Sequence, residues 1–417
     1  MEKAQKIFGL VLLLCSFSVT AEMRINKIKY QGNETSQPSI LNREIYIHEG
    51  DEFDEALVEK SRQAIMDLGL FKTVHLVLEK NKSNNTIDVI FVVKEKYYLL
   101  ILPRLKVEDN EFFYGIQLKW DNIMGLNHRV RALVEDRGTT NGVDESRYSF
   151  RYSYPNINNK YYNLDFELQS ANEVDEVDGV VDRQDDFFRV ALSKWLNRTG
   201  RNRGWFAGGS ALYQQRNNED LINFENSDSV KAIALGVDVG YRNLNTFEYN
   251  RGGKAYGYKL DWSDELLGSE TQYTKHLLYY KSYYRFDQLP FSNLNVQVKL
   301  GHSNNKILGE SAFSLGSSDD LRGYENNRFN GNTLFVTNIE FMYPQPNKPI
   351  FRYVTFIDVG NTYDKLDDVL HDALNVGAGV GIRWKIRALV NIDLRADVGY
   401  GFTDDDYKFS FGTRHAF

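Results

Sequence analysis

The stretch Gly377-Ala378-Gly379-Val380-Gly381-Ile382-Arg383-Trp384-Lys385-Ile386 puts Ala378, Val380, Ile382, Trp384 and Ile386 on one side of an extended chain. Gly377, Gly379, Gly381, Arg383 and Lys385 fall on the other side. Side chains of a strand point to alternate faces, so a period of two marks a strand. A few residues on, Ile392, Leu394, Ala396, Val398, Tyr400 and Phe402 oppose Asn391, Asp393, Arg395 and Asp397. A soluble sandwich also alternates, with its polar face turned to water. A strand in lipid must do the reverse, and the neighbouring Arg and Asp residues are then placed to pair in a hydrated lumen.

Working outward, the period of two reaches back to Tyr97. It runs through sixteen segments of about 9 to 14 residues, near 98–107, 112–120, 128–136, 146–154, 161–170, 186–195, 204–214, 231–242, 254–264, 272–285, 292–302, 333–343, 352–361, 375–386, 390–402 and 407–417. Segments of this length cross a bilayer core when tilted, and an even number returns both ends of a barrel to one side. The reading is a mainly β protein, a 16-stranded antiparallel transmembrane barrel over residues 97–417. Connection lengths agree. Asp121–Asn127, Pro155–Lys160, Leu196–Arg203, Asp287–Phe291 and a tight turn near Arg387 are short, whereas Ala171–Asp185, Gln215–Val230 and Ser303–Asn332 are long. Long loops are expected outside, with the short turns on the periplasmic side.

Bulk properties narrow the class. Beyond the N-terminus no run of about 18 apolar residues occurs, which excludes a bundle of membrane helices. Aromatic residues make up 14% of the chain and prolines number only 7, which suits a barrel with aromatic girdles. The formal charge of −7 gives no sign of nucleic-acid binding. Residues 1–21 combine Lys3 and Lys6, an apolar run from Ile7 to Leu14, and Val19-Thr20-Ala21, the pattern of a cleaved export signal. Cys15 is the sole cysteine and falls in that segment, so the mature chain is expected to hold neither disulfides nor cysteine-ligated metal.

Residues 22–96 have a different grammar of strand, helix, helix, strand, strand. Ile25, Ile28 and Tyr30 lead to a Gly32-Asn33 turn, and Ile40, Leu41, Ile45 and Tyr46 recur at helical spacing. A second helix follows Asp54, with Leu57, Ile65 and Leu68 on one side and Gly69 as its stop. Val74, Leu76 and Leu78 then alternate, as do Ile87, Val89, Phe91 and Val93. With its Gly69-Leu70-Phe71 junction this small βααββ unit resembles a POTRA domain, and only one such unit fits.

Phe313-Ser314-Leu315-Gly316, followed by Leu321-Arg322-Gly323-Tyr324, resembles the loop signature of the BamA/TamA superfamily of outer-membrane assembly and two-partner-secretion barrels. Asn338-Ile339-Glu340-Phe341, Phe356-Ile357-Asp358-Val359-Gly360 and the glycine-alternating Gly377–Trp384 are similar to the strands that follow it in that family. The resemblance implies that the loop at 303–332 enters the lumen and that Arg322 meets carboxylates on the wall, with Asp358 and Glu340 at the matching positions. A guanidinium suits that role, because it stays charged and presents a planar fork that lysine lacks. Gly323 permits a close turn, and Tyr324 can stack while hydrogen-bonding. The terminal Phe417 resembles an assembly signal, although His415 stands where an apolar residue is usual.

The expected function is non-enzymatic. No Gly-x-Ser-x-Gly elbow, His-Glu-x-x-His pair or phosphate loop is present, and no catalytic, cofactor or metal site is expected. The resemblance implies an outer-membrane factor of a Gram-negative bacterium that assembles or translocates unfolded outer-membrane or secreted clients, aided by periplasmic chaperones or accessory lipoproteins and embedded in outer-membrane lipid. A gated pore plugged by the long loop, or an anchor for a surface-displayed partner, are the alternatives.

Overall fold

A computed structural model of the chain describes residues 23–81, 83–108, 111–139, 144–157, 160–175, 181–196, 203–220, 228–386, 388 and 393–412. The export signal at 1–21, the turn at Arg387 and the terminal Phe417 lie outside the described residues.

The N-terminal unit comprises β1 (Arg24–Gln31), α1 (Pro38–Asn42), α2 (Glu55–Asp67), β2 (Phe71–Asn81) and β3 (Thr86–Glu95). Its sheet has the order β1-β3-β2, with β1 parallel and β2 antiparallel to β3. The alternating Ile87, Val89, Phe91 and Val93 of the central strand are all buried, against Ile25, Ile65 and Phe71. Asp54 caps α2 by accepting hydrogen bonds from the backbone N–H groups of Ala56 and Leu57, and Gly69 stops it at φ +74°. Two expectations are corrected. The first helix ends at Asn42, so Ile45 and Tyr46 lie beyond it. On α2 the buried positions are Val58, Ser61, Ala64, Ile65 and Met66, while Leu57 faces out; Val58 and Ile65, seven residues apart, share the core face that Leu57 misses.

The rest of the chain closes into a 16-stranded antiparallel barrel. Its first strands are β4 (Leu99–Glu108), β5 (Glu111–Ile123), β6 (His128–Thr139), β7 (Asp144–Tyr154), β8 (Tyr162–Asp175) and β9 (Val181–Trp195). Next come β10 (Gly204–Asp220), β11 (Asp228–Thr246), β12 (Arg251–Ser263), β13 (Tyr273–Arg285) and β14 (Asn293–Ser303). After a separate hairpin of β15 (Phe313–Leu315) and β16 (Phe329–Gly331), the barrel resumes with β17 (Thr333–Gln345), β18 (Lys348–Tyr363), β19 (Asn375–Lys385), β20 (Asp393–Gly401) and β21 (Asp406–Gly412). Closure places Ser410 of β21 opposite Glu108 of β4. Ile116, Val134, Val380, Ile382 and Phe409 are exposed on the outer face, while Arg383, Arg395 and Asp397 are buried on the inner one. That distribution is the inverse of a water-soluble sheet and fits lipid outside.

Two loops are shorter than their sequence implies. Ala171–Asp175 continues β8 and 181–185 belongs to β9; Gln215–Asp220 and Asp228–Val230 likewise extend β10 and β11. Past the lipid boundary both faces of a strand meet water, so the ladder continues without apolar alternation to announce it. Within the long stretch 303–332, β15 and β16 pair as a short hairpin.

The N-terminal unit docks on the short-turn end of the barrel. Gln37 donates from its backbone N–H to Gly125 O at 3.0 Å and from Nε2 to Met124 O at 2.9 Å. Across the mouth, Asp67 accepts the Thr246 N–H at 2.6 Å and pairs with Arg203.

Candidate functional site

The connection between β14 and β17 folds into the lumen, and four of its apolar residues drive it there. Phe313, Leu315, Leu321 and Tyr324 pack with Leu334 and Val336 of β17 in a small buried cluster. Gly301 and Gly360 leave room for this packing, since a Cβ at either would strike Phe313 or Leu315. At the tip, Asp320 accepts hydrogen bonds from the N–H groups of Leu321 (2.6 Å) and Gly316 (3.1 Å), which turns the chain toward the wall. Burial pushes the Asp320 carboxyl above its ordinary pKa against those hydrogen bonds.

Arg322 is only 2% exposed. Its Nε donates to Asp358 Oδ2 at 2.7 Å, Nη2 to Asp358 Oδ1 at 2.9 Å, and Nη1 to Glu340 Oε2 at 2.9 Å. The guanidinium also lies 3.5 Å from the centre of the Phe356 ring, and the Arg322 backbone N–H reaches Asp358 at 3.2 Å. Strand register explains why these wall groups converge. Asn338 of β17 faces Asp358 of β18, which faces Gly377 of β19; one step down the same inner face, Glu340 faces Phe356, which faces Gly379. Asn338 Nδ2 donates to Asp358 Oδ1 at 2.8 Å. Burial disfavours the charge on Arg322, but Asp358 and Glu340 outweigh it, so its pKa is raised.

The network continues along the wall. Glu340 Oε2 also accepts from Arg383 Nη2 at 2.8 Å, Arg383 Nη1 pairs with Asp397 at 2.5 Å, and Arg395 Nη2 donates to the loop carbonyl of Ser318 at 2.6 Å. Three arginines thus face three buried carboxylates, and neutrality offsets much of the cost of removing these charges from water.

A floor of glycines lets the loop backbone touch the wall. Gly323 has φ +96°, and a Cβ there would sit 2.6 Å from the Tyr400 carbonyl carbon. A Cβ at Gly399 would lie 2.7 Å from Gly323 N, and one at Gly377 would overlap the Arg322 carbonyl. Tyr324 donates to Val376 O at 2.7 Å and packs edge-on against Phe329. Of the four loop residues expected at the lock, Arg322, Gly323 and Tyr324 meet the wall by polar or backbone contact, Arg322 on the expected Asp358 and Glu340, while Leu321 sits fully buried in the apolar cluster. The pairing of lumen-facing Arg and Asp on neighbouring strands is met by Arg383 and Asp397, whereas sequence reasoning missed Asn338 and Phe356 as partners and the link from Arg383 to Glu340.

A POTRA unit joined to a 16-stranded barrel with an inserted, arginine-held loop defines a class of outer-membrane β-barrel. Residues 122–417 match the Omp85 superfamily domain, and residues 23–96 match the POTRA family, described as a surface antigen variable number repeat. The chain belongs to the Omp85 superfamily. It is 28% identical over 138 residues to the outer membrane protein assembly factor BamA of Neorickettsia risticii (strain Illinois), a match covering 33% of this chain and 18% of that protein. It is 25% identical over 163 residues to BamA of Buchnera aphidicola subsp. Acyrthosiphon pisum (strain APS), covering 38% and 26% respectively. The chain therefore aligns with about a quarter or less of these curated relatives. CdiB from Escherichia coli shares the fold at a TM-score of 0.65 and 13% identity, over 94% of this chain and 76% of that one.

Proposed function

We propose that this protein is an outer-membrane assembly or translocation factor with its POTRA domain in the periplasm. That domain receives unfolded outer-membrane or secreted proteins, and the barrel inserts or passes them without covalent chemistry. The observation that carries this reading is the position of β2. It lies at the edge of the POTRA sheet with Val77 and Leu78 exposed, and the end of α2 holds the domain against the barrel through Asp67 and Thr246. An edge strand offers unpaired backbone groups to an extended client. The client then joins the barrel where β21 meets β4, because lipid gives its backbone no partners. Periplasmic chaperones deliver such clients, and accessory lipoproteins are compatible with the exposed POTRA face. Deleting residues 24–94 is expected to leave an inserted barrel while client proteins fall in the outer membrane; normal client levels contradict the proposal.

One observation favours a second reading as a gated pore. The loop lies against the inner wall and is held there by buried ion pairs, as a plug would be. Conductance that rises sharply in Arg322→Gln, with no client defect on depletion, would select the pore.

A further inference from the structure

Between the POTRA sheet and the short-turn end of the barrel lies a cavity of about 40 Å³ walled by both units. The POTRA side contributes Lys72 and Lys96, and the barrel contributes Arg251, Arg352 and Lys385. Only two carboxylates, Glu248 and Asp393, share the wall with these five cations. Arg352 is 3% exposed, and its Nε has no hydrogen-bond acceptor. Its nearest carboxylate oxygen, on Asp393, stands 3.8 Å from Nη2, beyond hydrogen-bonding distance. Among the described residues, neither Arg251 nor Lys385 makes a side-chain hydrogen bond or an ion pair. A buried N–H of a guanidinium left without an acceptor is costly, and the surplus of half-buried cations around Arg352 compounds that cost.

We propose that this chamber binds a phosphoryl oxyanion that bridges the POTRA domain and the barrel, seated on Arg352 and flanked by Lys96, Arg251 and Lys385. Size and charge select this ligand. The cavity has room for a few waters or one small oxyanion and excludes a polypeptide segment. The guanidinium fork matches phosphate, and a dianion balances the excess charge better than a carboxylate does. Burial lowers the Lys96 pKa to about 8, with Asp393 and Asp121 opposing and Arg251 and Lys72 adding to the shift. An anion beside it restores the charge, so binding takes up a proton above that pH. Free phosphate and the phosphate of a lipid headgroup present the same chemistry. This inference does not depend on what the barrel transports.

Calorimetry on the full chain in an uncharged detergent tests it, with inorganic phosphate in one series and short-chain phosphatidic acid against the matching diacylglycerol in another. Saturable binding is expected in the phosphate series. It weakens about tenfold or more in Lys385→Met and in Arg251→Gln, since a charge-assisted hydrogen bond is worth at least that factor. Lys254→Gln, on an exposed position of β12, leaves it unchanged. Binding of phosphatidic acid alone, with the same dependence on Lys385 and Arg251, assigns the headgroup as the source. In the unsubstituted protein, amine-reactive labelling of Lys96 and Lys385 slows on adding the ligand while Lys254 labels as before. Absence of binding in both series overturns the proposal, as does binding with no change at these side chains.

Discussion

Arg322 and Asp358 meet fork to fork in the lumen, the guanidinium of a returning loop on the carboxylate of β18, the fourth strand from the C-terminal end, at 2.7 and 2.9 Å. Truncating one partner strands a buried charge. Arg322→Ala is expected to destabilise the seated loop by about 3–5 kcal/mol. Limited proteolysis within 303–332, read against intact barrel migration, checks this. Arg322→Lys keeps the charge and loses the fork, so it falls between Ala and the unsubstituted protein.

Gly399→Ala puts a methyl group 2.7 Å from Gly323 N. The loop must lift from β20, so the substitution is expected to mimic Arg322→Ala in loop proteolysis while the barrel itself still resists denaturation. The same substitution at Gly138, where a Cβ meets nothing within 4 Å, is expected to be silent.

Tyr324→Phe removes the hydroxyl that donates to Val376 O at 2.7 Å and accepts the Thr403 N–H at 3.2 Å, and keeps the ring against Phe329. A cost of about 1 kcal/mol is expected. Amide exchange at residues 321–324 then quickens without loss of the lock.

The POTRA–barrel junction is expected to depend on pH through Lys96, which also donates to Gly69 O at 2.9 Å. Burial, the leading cause, lowers its pKa to about 8 in the docked state, from an ordinary 10.5. The docked state therefore holds fewer protons than the open one between those values, so docking strengthens as pH rises through that window and is weakest below about 8. Amide exchange at Thr246, whose N–H donates across the junction to Asp67, measures this in phosphate-free buffer after correction for the intrinsic pH dependence of exchange. Lys96→Met is expected to flatten the profile.

Much of this was legible from the sequence. The inner and outer faces of β19 and β20 follow from alternation, because lipid and lumen impose opposite demands on successive residues. The partners of Arg322 at Asp358 and Glu340 came through resemblance, since spacing alone does not say which wall residue a loop 30 residues long will meet. Phe356 read as one more apolar strand residue, and only the register opposite Glu340 turns its ring under the guanidinium. The extensions of β8 to β11 were hidden because Asp, Glu, Asn and Gln on both faces look like loop once lipid no longer selects. The β15–β16 hairpin was hidden because three-residue strands carry too few positions to show a period.

The most direct test of the lock is a double-mutant cycle of Arg322→Gln and Asp358→Asn, read as the free energy of loop opening from amide exchange at residues 321–324 in the detergent-solubilised barrel. A coupling of about 2 kcal/mol or more is predicted, with the double variant little worse than either single one. Additive effects, with each substitution costing the same in the presence or absence of the other, would contradict the account.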